Sequence, residues 1–214
     1  MTSVFCLRSA LVLGLLGGLA ACTGSLFDSE APVTRTYVLS PAPTPASVGA
    51  VAAVDVVVSE PTSSPGLHSE RIAVLHPDRH LEYYAGARWG GTAAEVMQSL
   101  IVGSMRNQHL FRSVTAASSG NAATHVVDIE LRDFQAEYAG GRDAPIVKVT
   151  IVANVLRLTD RKLIAVIPAT ASVPANENRL TQVVAAFEAA AQQVALSVSR
   201  DTAAALADDR GSAR

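Results

Sequence analysis

The run HVVDIELRDF, His125–Phe134, limits what this chain can fold into more than any other stretch. Val127, Ile129 and Leu131 alternate with Asp128, Glu130 and Arg132. Successive side chains of a strand point to opposite faces, so this strand has one buried face and one wet face. The pattern recurs downstream. Ile146–Leu158 places Val147, Val149, Ile151, Ala153 and Val155 on one face. The polar TDRK then turns the chain into a third strand beginning at Leu163–Ile167. Short turns make sequential strands antiparallel neighbours, so the three form a meander.

Such a sheet needs an apolar cover, and two segments have the period to provide it. Ala93–Arg106 repeats apolar residues at Ala93, Val96, Met97, Leu100, Ile101 and Met105, one continuous helical stripe. Thr92 and Glu95 stand at capping-box spacing, where each side chain satisfies a free backbone N–H of the other. Leu180–Ala207 carries a second stripe of Leu180, Val183, Val184, Phe187, Ala190, Ala191, Val194 and Val198, and its alanines favour helix. Upstream, Tyr37–Leu39, Val51–Val58, Arg71–Leu75 and Leu81–Tyr84 read as short strands, as does Leu110–Val114. SPAPTPASVG, with three prolines in ten residues, and EPTSSPGLHSE read as loops. The fold class expected is α/β: a single domain with a mixed, largely antiparallel sheet covered by two main helices.

The N-terminus is of another kind. MTSVFCLRSALVLGLLGGLAAC has one basic residue, Arg8, and then an apolar run from Ala10 to Ala21. A twelve-residue helix reaches only about 18 Å, short of a hydrocarbon core of about 30 Å, so the segment reads as a secretory signal peptide. Its end, Leu19-Ala20-Ala21-Cys22, resembles the lipobox of bacterial lipoproteins, whose cysteine takes up a diacylglycerol and then an N-acyl chain. On that reading residues 1–21 are the signal peptide and residues 22–36 a lipidated cysteine and tether. Residues 37–207 are the domain, and 208–214 a disordered tail. Thr23 after the cysteine, rather than Asp, points by the lipoprotein sorting preference to the periplasmic face of the outer membrane.

Several chemistries fall away. Cys6 leaves with the signal peptide and Cys22 is acylated, so the folded part has no thiol for a disulfide, thiolate catalysis or a Cys-ligated metal. With Arg8 removed, 16 basic residues face 19 acidic ones, and no basic run exists, so nucleic acid is not an expected partner. The GARWGG glycines have neither Walker lysine nor dinucleotide-loop spacing, and no hydrolase elbow occurs. His76 and His80 have zinc-helix spacing, but Pro77 makes the segment a turn, so no metal is assigned. Asp128 and Glu130 share a face with Arg132, a charge-balanced surface and not a catalytic pair. Asp133, Arg142 and Asp143 border a polar loop. Catalytic residues, metals and soluble cofactors are therefore all expected to be none; the one attached group is the lipid on Cys22.

One aromatic cluster needs a place. In LEYYAGARWGG, Leu81–Tyr84 reads as strand, AGAR as the turn out of it, and Trp89 as a plug at the corner before the helix cap. Tyr83 and Tyr84 must then point to opposite faces. Core packing, a partner interface formed by Tyr83, Tyr84 and Trp89, and direct lipid contact all stay open.

Along the mature chain the blocks TYVLSP, VVVSEPTSSPGLHSERIAVL, LEYYAGARWGGTAAEVMQSL, LFRSV, HVVDIELRDFQAEY, PIVKVTIVANVLRL and VVAAFEAA follow one another in order. In this the chain resembles the ABC-type transport auxiliary lipoproteins, components of lipid-transport systems built around MCE-domain (mammalian-cell-entry) proteins. The resemblance implies a non-enzymatic accessory subunit. Its partners would be an MCE-domain protein and the ABC permease and ATPase, its membrane contact a lipid anchor, and its cargo phospholipid or another hydrophobic molecule. Homo-oligomerisation stays open. A structural outer-membrane lipoprotein in envelope assembly or secretion is the alternative.

Overall fold

The computed structural model describes residues 33–46, 51–117, 123–138 and 143–212. Residues 19–22, most of the tether and Arg142 lie outside the described residues. Nine strands and two helices are described. In order they are β1 (Arg35–Tyr37), β2 (Ala52–Val58), β3 (Thr62–Ser63), β4 (Arg71–Leu75), β5 (Leu81–Trp89), α1 (Ala93–Asn107), β6 (Phe111–Ala116), β7 (His125–Glu137), β8 (Ile146–Arg157), β9 (Leu163–Pro174) and α2 (Leu180–Ser212).

The alternating strand read first, β7, is the axis of the sheet. One edge pairs along its length with β8 in antiparallel register, from His125 opposite Arg157 to Glu137 opposite Ile146. β8 in turn pairs antiparallel with β9. This is the expected meander. The other edge of β7 takes three short parallel partners in succession: β2 at His125–Val127, β3 at Glu130–Leu131 and β4 at Gln135–Glu137. β6 extends the sheet beyond β2, and β5 and then β1 extend it beyond β4. The sheet is thus mixed: its long pairings are antiparallel and its short ones mostly parallel.

The wet and dry faces fall where the alternation puts them. Val147, Val149, Ile151, Ala153 and Val155 of β8 are all 0% exposed, as are Val127 and Leu131 of β7. Each such Val, Leu or Ile contributes about 1.5–3 kcal/mol on leaving water. α2 lies over β8 and β9, and α1 packs against α2 and β6. α1 begins as expected: the Thr92 N–H donates to Glu95 Oε2 at 2.7 Å, and the Glu95 N–H donates to Thr92 Oγ1 at 3.3 Å. Such a cap is worth about 1 kcal/mol.

Between β1 and β2 the proline-rich segment is a strap across both helices. The Ser40 N–H donates to Glu188 Oε2, and Gln192 Nε2 donates back to the Ser40 carbonyl. The Ala42 N–H donates to Ser104 Oγ, and Asn107 Nδ2 donates to the Ala42 carbonyl. A buried backbone needs such partners, and polar side chains of the helices supply them here.

Three expectations are corrected. EPTSSPGLHSE is not loop throughout, because Thr62–Ser63 joins β7 as β3. AGAR is not a turn out of β5. The strand continues to Trp89 through a large bulge in which Tyr84–Ala87 lie opposite Ile72 alone. Gly86, at φ +64°, supplies the left-handed residue this needs. The strand continues because β1 offers Ala87–Trp89 a second partner. Finally, the tail does not start at Asp208. α2 runs to Ser212, its last turns tied down where Arg157 and Lys162 pair with Asp209.

Candidate functional site

Trp89 is 1% exposed and belongs to the core, which corrects its place in a partner-facing set. It sits at the end of β5, where its ring meets Phe134 of β7 at 5.4 Å and Phe187 of α2 at 5.1 Å. Phe134 and Phe187 meet each other at 5.0 Å. The three rings join sheet to helix in tilted and edge-on geometry, the arrangement their quadrupoles favour. The indole N–H has no hydrogen-bond partner among the described residues.

The two tyrosines diverge, as adjacent strand residues must. The Tyr83 hydroxyl donates to the Gly66 carbonyl at 2.9 Å, and the Arg71 guanidinium lies 3.9 Å above its ring. The Tyr84 hydroxyl lies 3.4 Å from that of Tyr138, which donates to Asn178 Oδ1 at 2.7 Å. Burial, with the Tyr138 hydroxyl adding to it, pushes the Tyr84 phenol well above its usual range. Both tyrosines are half-buried.

His76 and His80 meet at the β4–β5 turn. Both Nε2 atoms lie against the Glu82 carboxylate, at 3.1 and 3.0 Å. The imidazoles stack at 4.9 Å with planes 17° apart, and the Tyr138 ring continues the stack at 5.9 Å from His76. A metal must lie near the plane of each imidazole that ligates it, and two nearly parallel planes do not converge on one ion. Among the described residues no group of His, Cys, Asp and Glu is arranged to hold a metal. His80 and then His76 hold the Glu82 carboxyl below its usual range.

The wet face of β7 is charge-balanced. Arg132 grips Glu130 through Nε at 3.1 Å and a terminal nitrogen at 2.9 Å. Asp128 accepts from Ser59 Oγ. Asp133 pairs with Lys148 at 3.2 Å, and Asp143 is exposed. Asp128 and Glu130 therefore each answer to a different neighbour and do not act as a pair.

Two features have no local sequence signal. Arg71 and Arg88 are direct partners across the β4–β5 ladder, a register set by the bulge. The outer edge of β9 has no strand partner among the described residues, and the uncovered face there shows Leu163 at 50% and Val166 at 54% exposure. No described helix is long and apolar enough to cross a membrane.

Comparison with known proteins places this architecture. A crystal structure of a Xanthomonas campestris protein superimposes with a TM-score of 0.76 at 22% identity, covering 83% of this chain and 99% of that one. A second, of an uncharacterized protein, gives 0.61 at 12% identity, over 78% and 98% of the two chains. Both establish a shared fold. No curated protein matches the chain. The family model of the ABC-type transport auxiliary lipoprotein component matches residues 37–199, from the end of β1 to well into α2. The chain belongs to the ABC-type transport auxiliary lipoprotein family.

Proposed function

We propose that the chain is a non-enzymatic, lipid-anchored accessory subunit of an MCE-type ABC transport system, carried at the periplasmic face of the outer membrane. There it helps move phospholipid or another hydrophobic molecule across the envelope. The observation that carries this reading is the family match, which spans almost the whole described domain. The lipobox-like Leu19-Ala20-Ala21-Cys22 supports anchoring at Cys22, where two or more acyl chains give durable attachment. The site chemistry fits a binding role. The polar clusters around Glu82, Asp128, Glu130 and Asp133 are each closed by their own neighbours. The uncovered sheet face and the β9 edge offer surface to protein partners.

The test is crosslinking in cells that express the whole system, followed by purification of this chain. An MCE-domain subunit should co-purify. Recovery of the free chain alone would refute the reading. Anchoring is tested separately: Cys22→Ser should abolish labelling by a radioactive fatty acid and leave the chain out of the outer-membrane fraction. Unchanged labelling would show that the acylated residue lies elsewhere.

A further inference from the structure

We propose that the bulge of β5 forms a phosphate-binding site built on Arg71 and Arg88. The two arginines are direct partners across an antiparallel ladder. Side chains in such a pair point to the same face a few ångströms apart, and like charges there destabilise the sheet. Glu70 offsets part of the repulsion by pairing with Arg88 at 3.1 Å, and Thr36 accepts from Arg88 Nε. Arg71 has no carboxylate partner among the described residues. The central carbon of its guanidinium lies 3.9 Å from the centre of the Tyr83 ring. Stacking uses the π face of a guanidinium and leaves its N–H fork free to bind in its own plane.

Both arginines line one cavity of about 480 Å³, together with Glu70, Tyr84, Gly86 and Thr34. The bulge itself opens this cavity: Tyr84–Ala87 loop out opposite Ile72, and Ala85 and Gly86 are exposed on its rim. The lining residues include two arginines and one glutamate, a net positive set on a chain of net charge −2. Arginine forks match the oxygens of a phosphate bidentately, and bonds between charged partners are the strong ones. The volume exceeds that of inorganic phosphate, so a phosphate carrying a larger group also fits. A phospholipid headgroup and a free phosphate ester share the recognised chemistry.

The site is independent of the transport reading: crosslinking tests the partner, and the following titration tests the cavity. Full-length protein in neutral detergent is titrated with inorganic phosphate and, separately, with glycerophosphoethanolamine, with chloride holding ionic strength constant. Side-chain Nε–Hε NMR signals of the arginines are followed. The signals of Arg71 and Arg88 should shift together and saturate, and Arg71→Gln should weaken the apparent affinity about ten-fold or more. Arg161→Gln, on the β8–β9 turn, should leave it unchanged. Arg88→Gln is the second variant, because Arg71 also packs on Tyr83. Saturation by both probes assigns the site to any phosphate group, and saturation by the diester alone assigns it to a headgroup. Shifts that follow chloride equally, or an affinity unchanged in both arginine variants, would overturn the proposal.

Discussion

Pro41 rests directly on Gly103: a Cβ built on that glycine would lie 2.5 Å from Pro41 Cγ and 2.9 Å from its Cβ. The glycine lies inside α1, where glycine costs about 1 kcal/mol relative to alanine. It stands there because the strap from β1 to β2 passes at backbone distance. A proline ring is not a flexible side-chain end, so an added methyl must lift the strap or push the helix. Overpacking of this kind costs about 1–3 kcal/mol. Gly103→Ala is expected to lower the denaturation midpoint despite its better helix propensity. Adding Pro41→Ala, which removes the Cγ but keeps the Cβ, should recover part of the loss. A midpoint raised in the single variant would mean that the strap is not held there.

Trp89→Ala removes one of three mutually packed rings from a site that cannot collapse, because Phe134 and Phe187 are held by β7 and α2. Truncation of a buried aromatic costs about 3–5 kcal/mol. Trp89→Phe should cost clearly less, since it keeps a ring and removes an N–H that has no partner among the described residues. Denaturant unfolding of the two variants measures the order, and equal losses would contradict it.

Acid should weaken the β2–β6 pairing through Asp55. Its carboxylate accepts from Arg112 Nε at 2.9 Å and from Ser113 Oγ at 2.7 Å. Arg112 first, and then Ser113, lower its pKa from 3.8 to about 2. A carboxyl with a lower pKa folded than unfolded stabilises the fold above the unfolded value and loses that contribution as pH falls through the folded one. Stability should therefore decline between about pH 4 and pH 2. Asp55→Asn should flatten that part of the profile, as read by thermal melts across the range. An unchanged slope would assign the acid sensitivity to other carboxylates.

Pro168 interrupts the open edge of the sheet. It lies opposite Val152 in the β8–β9 ladder, on a twelve-residue strand whose outer edge has no described partner. Proline is tolerated in a sheet where its missing N–H faces away from the ladder, so position 168 withholds a donor from any incoming strand. Pro168→Val should raise concentration-dependent association in sedimentation velocity. Identical profiles for variant and wild type would show that the edge is guarded by something else.

Much of this molecule is determined locally. The alternation of Val127, Ile129 and Leu131, the capping pair Thr92 and Glu95, and the stripe from Val183 to Val198 each depend on residues a few positions apart. Their spacing alone states which face is dry and where a helix begins. Tertiary structure decided the rest. Whether β5 ends at Tyr84 or runs on to Trp89 depends on β1, which comes from some fifty residues upstream and pairs with its last three residues. The order of β2, β3 and β4 along one edge of β7 depends on parallel pairings between distant segments, whose register no local pattern encodes. The same holds for the candidate sites. Cys22 is readable from its neighbours. The opposition of Arg71 and Arg88 exists only because a bulge around Gly86 shifts the ladder, and Pro41 meets Gly103 only because the chain crosses the helices between β1 and β2. Local order follows from periodicity and propensity, whereas register and close approach follow from which distant surfaces bury each other.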